Sequence, residues 1–425
     1  MLSSEEQARG RRLITWMACV SCPPTQIFLG SVLLLFLTAL AMDRVVIMVC
    51  LSLPALVATV LQIPFAHWAD RVGKKRFGYL GGGLVALAFL GLLAAAAALP
   101  ALGRASVVVF ILVYAIGACL HASGWFALIM PMIPEAIRAT FFSRLRFSYQ
   151  SVTVVVGLVC SAILEWRSSA GVFSGLFACF LVMVALWMFL YSRLPEAEKP
   201  DPTLPPLGAA LQKVIRAKAY LPFCAYAFLL ALFTGGCPIL FGMIEKTVLR
   251  MSDGTVALLA NMRLLGSILG FYLGGKAVER HGTKPVFLAC HFGFGVILFL
   301  FLWRGAGEWP VAPILAGIEA LFGMVWAASS VAFTVEMYAL IPSEGKSLST
   351  SVFMTLQGAG ASLGGMLPAW AIRLGMFSET WTLAGTPRSD YDALLLICGT
   401  LVVVIAVTLG LVPSVTGRAQ WPLRE

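Results

Sequence analysis

Long apolar stretches, joined by short polar segments, recur along almost the whole chain. An α-helix that crosses a bilayer needs about 20 predominantly apolar residues, and twelve stretches reach that length. We therefore predict an all-α integral membrane protein with twelve transmembrane helices. The predicted spans lie at about residues 14–41, 46–66, 78–100, 106–131, 148–166, 170–192, 221–244, 255–275, 285–303, 310–338, 348–373 and 391–413.

The longest polar join divides the predicted spans into two sets of six. It covers about residues 195–218 and is rich in proline, which interrupts helices. We therefore predict two pseudo-symmetric six-helix bundles, at residues 1–193 and 221–425, with a cytoplasmic linker at 194–220. The other long join, residues 375–390, carries no motif to which chemistry can be attached.

The composition is that of a protein surrounded by lipid. Hydrophobic residues make up 60% of the chain and charged residues 12%, whereas soluble domains are about half apolar and a quarter charged. The net charge of +10 does not indicate a nucleic-acid partner, because about 21 of the 30 Lys and Arg residues fall in joins on one side of the membrane. This asymmetry predicts that both termini are cytoplasmic. We also expect the chain to lie in a plasma (inner) membrane.

The sequence indicates no cofactor, metal site or catalytic centre. All ten cysteines fall in apolar stretches and none has zinc-site spacing with histidine, so we interpret them as small packing residues. There is no phosphate-binding loop of the Walker A type, and we do not expect ATP to drive the protein. The few buried ionisable residues are too scattered for a membrane-embedded enzyme.

A short charged loop occurs twice, about half a chain apart. The first copy is AHWADRVGKK at residues 66–75, and the second is GKAVERHGTK at residues 275–284. Both copies follow the same pattern. A small residue comes first, then two variable residues, an apolar residue, an acidic residue and Arg, and after these any residue, Gly, any residue and Lys. A fixed offset of this kind indicates an internal duplication, and paired halves are typical of secondary transporters.

Twelve spans in two halves, with this loop after spans 2 and 8, resemble the major facilitator superfamily. The matching positions are Asp70, Arg71, Gly73, Lys74 and Lys75 in the first copy and Gly275, Glu279, Arg280, Gly282 and Lys284 in the second, with Ala66 where the signature has Gly. The resemblance implies alternating access, with the two loops latching the outward-facing state. Alternatively the loops only form hairpins and fix topology, since Gly73 and Gly282 permit the positive φ of a tight turn.

Two charged residues lie well inside predicted spans, Arg263 in span 8 and Glu319 in span 10. A charge at the bilayer centre costs roughly 2.5–3.5 kcal/mol on insertion scales and marks function by default. The two side chains could form an ion pair, for which three roles stay open. The pair could be structural, Arg263 could bind an anionic substrate, or Glu319 could exchange a proton. Glu165 and Glu245 lie at span ends and are interpreted as interface residues.

By resemblance, spans 1, 4, 7 and 10 line the central cavity. Polar and aromatic residues at helical spacing support this, and the candidates are Gln26, Tyr114, His121, Trp125, Trp326 and Ser330. His121 is a candidate proton carrier, or a histidine that only bonds a neighbouring carbonyl. Trp125 and Trp326 could stack a ring-bearing solute, or simply pack. Pro23 and Pro24 interrupt span 1, either as a mere kink or to free a carbonyl for a water-filled cavity.

We therefore predict a secondary active transporter of a small solute, driven by protons, with its site at the bundle interface near the membrane midplane. The expected partners are the lipid bilayer, the solute and protons, with no nucleic acid, and we expect a monomer. The alternatives are a uniporter of the same fold and a transport-dead sensor or lipid-handling member. Arg263 favours an anionic or zwitterionic solute, but no residue pattern identifies the substrate.

Overall fold

The computed structural model describes residues 3–97, 99–134, 137–196, 208, 220–305, 310–340, 346–383 and 385–410. The chain divides into two compact units. Unit 1 comprises Met1–Met42 with Leu53–Ala210, and unit 2 comprises Asp43–Ser52 with Leu211–Glu425. Most of the predicted linker, residues 197–207 and 209–219, lies outside the described residues, so the linker stays a prediction.

The helices that precede the predicted linker follow the apolar stretches closely. They are α1 (Ser4–Ile27), α2 (Leu33–Ala39), α3 (Arg44–Val72), α4 (Lys74–Ala97), α5 (Leu99–Ile129), α6 (Arg138–Trp166) and α7 (Ala170–Ser192). Ser3 caps α1, since its hydroxyl accepts from the Glu6 backbone N–H while the Glu6 carboxylate accepts from the Ser3 N–H. Such a capping box satisfies two backbone donors that would otherwise have no partner at the helix start.

The helix of the first span continues through its proline pair. Pro23 and Pro24 lie inside α1 and are buried, and a five-residue π-helical segment, Phe28–Val32, connects α1 to α2. The Phe28 backbone N–H still donates to the Pro24 carbonyl. Proline removes a backbone donor, and a wider π turn is one way in which a helix absorbs such a local defect.

After the predicted linker, the helix of the seventh span is interrupted between Thr234 and Cys237. The helices in this part of the chain are α8 (Tyr220–Thr234), α9 (Cys237–Met243), α10 (Asp253–His281), α11 (Thr283–Leu302), α12 (Val311–Leu340), α13 (Lys346–Arg373) and α14 (Asp390–Ile405). π-Helical segments at Ile244–Val248 and Ala406–Gly410 extend α9 and α14. The join at residues 375–390, which we expected to be a plain polar loop, contains an antiparallel hairpin of β1 (Thr380–Leu383) and β2 (Thr386–Ser389).

The predicted helical membrane fold is confirmed. Eleven helical stretches of the described chain are long and apolar enough to cross a membrane. The remaining predicted span, the eleventh, coincides with α13. Several glycine, serine and threonine residues make α13 more polar than the other spans, and the same residues allow helices to approach closely in lipid.

Two helix pairs of unit 2 meet along seams of small residues. In α10, Gly266 and Gly270 lie one turn apart and face α12. A Cβ atom on Gly266 would stand 1.8 Å from the Ala320 carbonyl oxygen, and one on Gly270 would stand 2.1 Å from the Met324 carbonyl oxygen. In α13, a Cβ on Gly360 would stand 2.2 Å from the Phe228 carbonyl oxygen of α8. Side chains at these positions would hold the helices apart, so glycine is required for the close packing.

Helix α3 has its first turns in unit 2 and the rest in unit 1. Two contacts attach those first turns to other parts of unit 2. The Arg44 guanidinium donates to Asp390 at 2.9 Å, and the buried Ser52 hydroxyl lies against Gly365 of α13. The start of the second span is therefore held to the last two spans by one ion pair and one close contact.

Candidate functional site

The two charged residues predicted inside the spans form an ion pair. The Arg263 Nη1 atom donates to both carboxylate oxygens of Glu319, at 3.1 Å and 2.9 Å. The Glu319 side chain is 1% exposed and that of Arg263 is 14% exposed. Burial of each charge is tolerated because the other compensates it. Arg263 is the more accessible member of the pair.

The glycine seam fixes the distance across which this pair forms. Glu319 and Gly323 lie one helical turn apart on α12, and a Cβ on Gly323 would stand 1.9 Å from the backbone carbonyl oxygen of Arg263. The backbones of α10 and α12 therefore touch directly beside the ion pair. The pair and the seam together make one rigid contact between the eighth and tenth spans.

A third ionisable residue, Glu245, belongs to the same region, and the interpretation of it as an interface residue was wrong. Its side chain is 1% exposed, and one carboxylate oxygen, Oε1, has no hydrogen-bond partner among the described residues. Glu245 lies in the π-helical segment Ile244–Val248 and interacts electrostatically with Glu319, Arg263 and Arg304. Glu165, interpreted in the same way, is exposed.

A second buried ion pair joins the end of the ninth span to the start of the twelfth. The Arg304 guanidinium binds Asp392 through both terminal nitrogens, Nη1 at 2.5 Å and Nη2 at 2.9 Å. Asp392 also accepts from the backbone N–H and the hydroxyl of Ser389, each at 2.8 Å, and so caps α14. Paired hydrogen bonds between arginine and carboxylate are among the strongest polar contacts in proteins.

The β-hairpin adds a further arginine beside this pair. The Arg388 guanidinium donates to the Arg304 carbonyl at 3.5 Å, and its side chain is buried. Burial and the neighbouring Arg304 charge lower the pKa of Arg388, while Asp392 opposes the effect. The loop in which the sequence showed no chemistry thus contributes three buried polar residues, Arg388, Ser389 and Asp390.

A buried histidine that sequence reasoning did not single out links three spans of unit 2. His291 of α11 is fully buried; its Nδ1 lies 2.5 Å from the Tyr226 hydroxyl, and its Nε2 lies 3.1 Å from the Ser329 hydroxyl. Tyr226 belongs to α8 and Ser329 to α12. Both ring nitrogens have partners, which is how polar groups tolerate burial. No local sequence signal reveals this cluster, since its members are at least 38 residues apart.

The predicted aromatic and histidine candidates of the fourth span lie together in unit 1. The His121 ring is 5.2 Å from that of Trp125, 4.6 Å from Trp187 and 5.5 Å from Tyr191. His121 also hydrogen-bonds the backbone of Gly78. These contacts match the alternative of a packed histidine that bonds a neighbouring carbonyl, and its role in proton transfer stays a prediction.

The other predicted cavity residues are not brought into one cluster. Tyr114 is buried in an aromatic core, with its ring 5.0 Å from Phe28 and 5.6 Å from Phe89. Ser330 donates to a carbonyl of its own helix. Gln26 is partly exposed and Trp326 is 52% exposed. Tyr114 therefore packs in the core of unit 1, and its role at a solute site, like the roles of Gln26, Trp326 and Ser330, stays a prediction.

Both repeated loops have the backbone geometry expected of a tight hairpin. Gly73 has a φ of 119° and Gly282 a φ of 78°, as the sequence predicted. In the first loop the Asp70 carboxylate lies 3.4 Å from the Lys74 ammonium, and the Lys75 ammonium donates to the Leu194 carbonyl at 2.6 Å. The latch role of these loops stays a prediction.

In the second loop a threonine joins the tenth span to the start of the ninth. The Thr283 hydroxyl donates to the Glu336 carboxylate at 2.6 Å, and both side chains are buried. The preceding motif residues, Glu279, Arg280 and Gly282, end α10. Thr283 occupies the variable position of the motif, which explains why motif matching gave it no role.

A comparison with protein-family models decides the family. The model of the Major Facilitator Superfamily matches residues 15–365. The chain belongs to this superfamily. It is a membrane transporter of small solutes and not an enzyme. No curated protein matches the chain by sequence.

Solved structures show the superfamily fold across nearly the whole chain. A point mutant of the nucleoside transporter NupG is 13% identical, with a TM-score of 0.72, over 93% of this chain and 98% of that one. A POT family transporter in complex with 5-aminolevulinic acid is 13% identical, with a TM-score of 0.71, over 94% and 95%. The human organic anion transporter MFSD10 is 14% identical, with a TM-score of 0.65, over 94% and 98%.

The chemistry available in unit 2 is that of charge recognition. Among the described residues, no group of three or more His, Cys, Asp or Glu side chains could hold a metal ion. A buried arginine whose partner is a carboxylate can exchange that partner for another anion. Glu319 is bonded to that arginine, and Glu245 interacts with it electrostatically.

Proposed function

We propose that the chain is a proton-coupled secondary transporter of a small anionic or zwitterionic solute, working by alternating access. The observation that carries the proposal is the buried Arg263–Glu319 pair, in which Arg263 is the more exposed partner. A carboxylate or phosphate group on a solute can compete with Glu319 for the Arg263 guanidinium. Displacing Glu319 leaves the buried carboxylates beside Arg263 short of one cation, and binding a proton in this region offsets the deficit. Solute binding and proton binding are thereby linked.

Other features of the proposal have indirect support. Of the proteins with a similar fold, one is named as an organic anion transporter, and another was solved in complex with 5-aminolevulinic acid, which is an amino acid. The distribution of Lys and Arg among the loops favours cytoplasmic termini, and we propose a plasma-membrane location. By family resemblance, the Asp70 and Glu279 loops act as latches of the outward-facing state.

A uniporter is the second candidate function. It is favoured by the closed geometry of the pair, since Arg263 holds Glu319 by two hydrogen bonds and opposes its protonation. A transport-dead sensor or lipid-handling member is the third. The same experiment separates the three.

The test uses purified protein in liposomes offered a mixture of small metabolites, with and without an imposed pH gradient. Mass spectrometry then compares the vesicle contents with those of protein-free vesicles. Accumulation of an anionic or zwitterionic species only in the presence of the gradient is the expected result. Equilibration without accumulation would establish a uniporter. If no species moves, the sensor or lipid-handling hypothesis replaces the proposal.

Variants then test whether the pair recognises the solute. Arg263→Gln should abolish uptake, while Arg193→Gln, at an exposed arginine outside the pair, should leave it unchanged. Both variants must first be shown to fold, by retained monodispersity in detergent. Transport that returns in the double variant Arg263→Gln, Glu319→Gln would show that the pair is structural, and would refute the recognition role.

A further inference from the structure

We propose that Glu245 is the residue that carries the exchanged proton. This inference rests on the proposed function and assigns the proton to a residue that neither the family motif nor the spacing of charges indicated. The first observation is its position. Glu245 lies in the π-helical segment Ile244–Val248 of the seventh span, is 1% exposed, and leaves its Oε1 atom without a hydrogen-bond partner in the described chain.

The second observation is the set of charges that face Glu245. Three charged side chains act on it: Glu319 of α12 repels its negative charge, whereas Arg263 of α10 and Arg304 beyond α11 attract it. Two other titratable groups lie in or beside the same π-helical segment. The Lys246 ammonium pairs with Asp253 at the start of α10, and Tyr391 of α14 interacts with Thr247 of the same π-helical segment.

Both arginines that attract Glu245 are already bonded to carboxylates of their own. Arg263 donates to both oxygens of Glu319, and Arg304 binds Asp392 through two nitrogens. Three carboxylates therefore share two arginines, and Glu245 is the one in surplus. Arg388 acts on Arg304 and Asp392.

A buried surplus carboxylate holds a proton rather than a charge. An isolated negative charge in a low-dielectric interior is far more costly than the neutral acid, and an acid within a membrane span is a proton-relay candidate by default. When Glu245 releases its proton, the new carboxylate competes with Glu319 for Arg263. Proton release thus changes how firmly Arg263 is held, which is the link that coupling to an anionic solute needs.

The test labels protonated carboxyl groups and needs no solute. Dicyclohexylcarbodiimide is an apolar reagent to which a protonated carboxyl adds, and the adduct rearranges to a stable N-acylurea that mass spectrometry locates in the peptide. The expected result is an adduct on Glu245 in the liposome-embedded protein, reduced at alkaline pH and absent from Glu245→Gln. The exposed control Glu165→Gln should keep the adduct, whereas Glu319→Gln frees Arg263 to pair with Glu245 and should reduce it.

Two results would overturn the assignment. One is an adduct on Glu319 with Glu245 unmodified; the other is no adduct on Glu245 in the membrane, although acidified, denatured protein reacts there. Infrared spectroscopy gives an independent readout, because the carbonyl band of a protonated carboxylic acid should vanish in Glu245→Gln and persist in the control Glu165→Gln. A band that persists in Glu245→Gln, or that vanishes in Glu165→Gln, would also refute the assignment.

Neither readout depends on transport, so failure of the proposed function and failure of this inference are distinguishable. If the liposome assay finds a solute, Glu245→Gln should abolish its accumulation under a pH gradient but retain its exchange at equal pH. Accumulation that survives in this variant would remove Glu245 from proton coupling. A labelled Glu245 in a protein that transports without protons would instead refute the coupling proposed for the whole chain.

Discussion

Replacing Gly323 with alanine tests whether the glycine seam holds the ion pair in place. The added Cβ would stand 1.9 Å from the Arg263 carbonyl oxygen, whereas real Cβ contacts are essentially never under 3.0 Å. The helices α10 and α12 must therefore part by about 1.1 Å, and overpacking of this kind costs about 1–3 kcal/mol. An equal displacement along the 2.9 Å contact between Arg263 and Glu319 would stretch it to about 4 Å, beyond hydrogen-bond length.

The assay is reversible unfolding in detergent, with Gly317→Ala as the matched control. Gly317 lies on the same helix, and a Cβ there would meet nothing within 4 Å. Alanine at an open helical position should stabilise by about 0.5–1 kcal/mol. The two variants are thus expected to change the free energy of unfolding in opposite directions. Equal stability of Gly323→Ala and Gly317→Ala would refute the reasoning that backbone contact at the seam sets the geometry of the pair.

Three further substitutions have defined outcomes. Asp392→Asn should lower the free energy of unfolding by about 3–5 kcal/mol, because it leaves the buried Arg304 charge without its carboxylate, and chemical denaturation would measure the loss. Thr283→Val should cost about 1.5–3 kcal/mol by removing a donor to the buried Glu336 carboxylate; no measurable change would show that other donors replace it. Asp70→Asn should change stability by less than about 0.5 kcal/mol yet impair transport; unchanged uptake, with unchanged cysteine labelling at the cytoplasmic side, would reject the latch.

The spans and the first ion pair were predictable from sequence because each depends on a local property. Apolar length alone locates a transmembrane helix, and a charge inside such a helix needs a partner at similar depth. Arg263 and Glu319 were therefore matched before their helices were known to touch. The positive φ of Gly73 and Gly282 was predictable for a similar reason, since a tight turn leaves few other residue choices.

The rest of the site depends on contacts that sequence spacing does not encode. Glu245 lies just past the predicted end of the seventh span, and only the π-helical segment shows that the helix continues to Val248. Arg304 and Asp392 are 88 residues apart. Arg304 lies in a short join that carries no motif, and Asp392 lies at the start of the twelfth span. His291 lies in an apolar stretch whose hydropathy gives no sign of the Tyr226 and Ser329 hydroxyls around it.

The division of α3 between the units has a consequence for experiments that cut the chain. A cut in the predicted linker is the obvious way to separate the two halves into fragments. Such a cut would leave Asp43–Ser52 on the first fragment, although these residues group with unit 2. The second fragment would then lack the Arg44 partner of Asp390 and the Ser52 contact of Gly365. Reassembly of co-expressed fragments should therefore depend on Arg44, and Arg44→Gln should weaken their copurification.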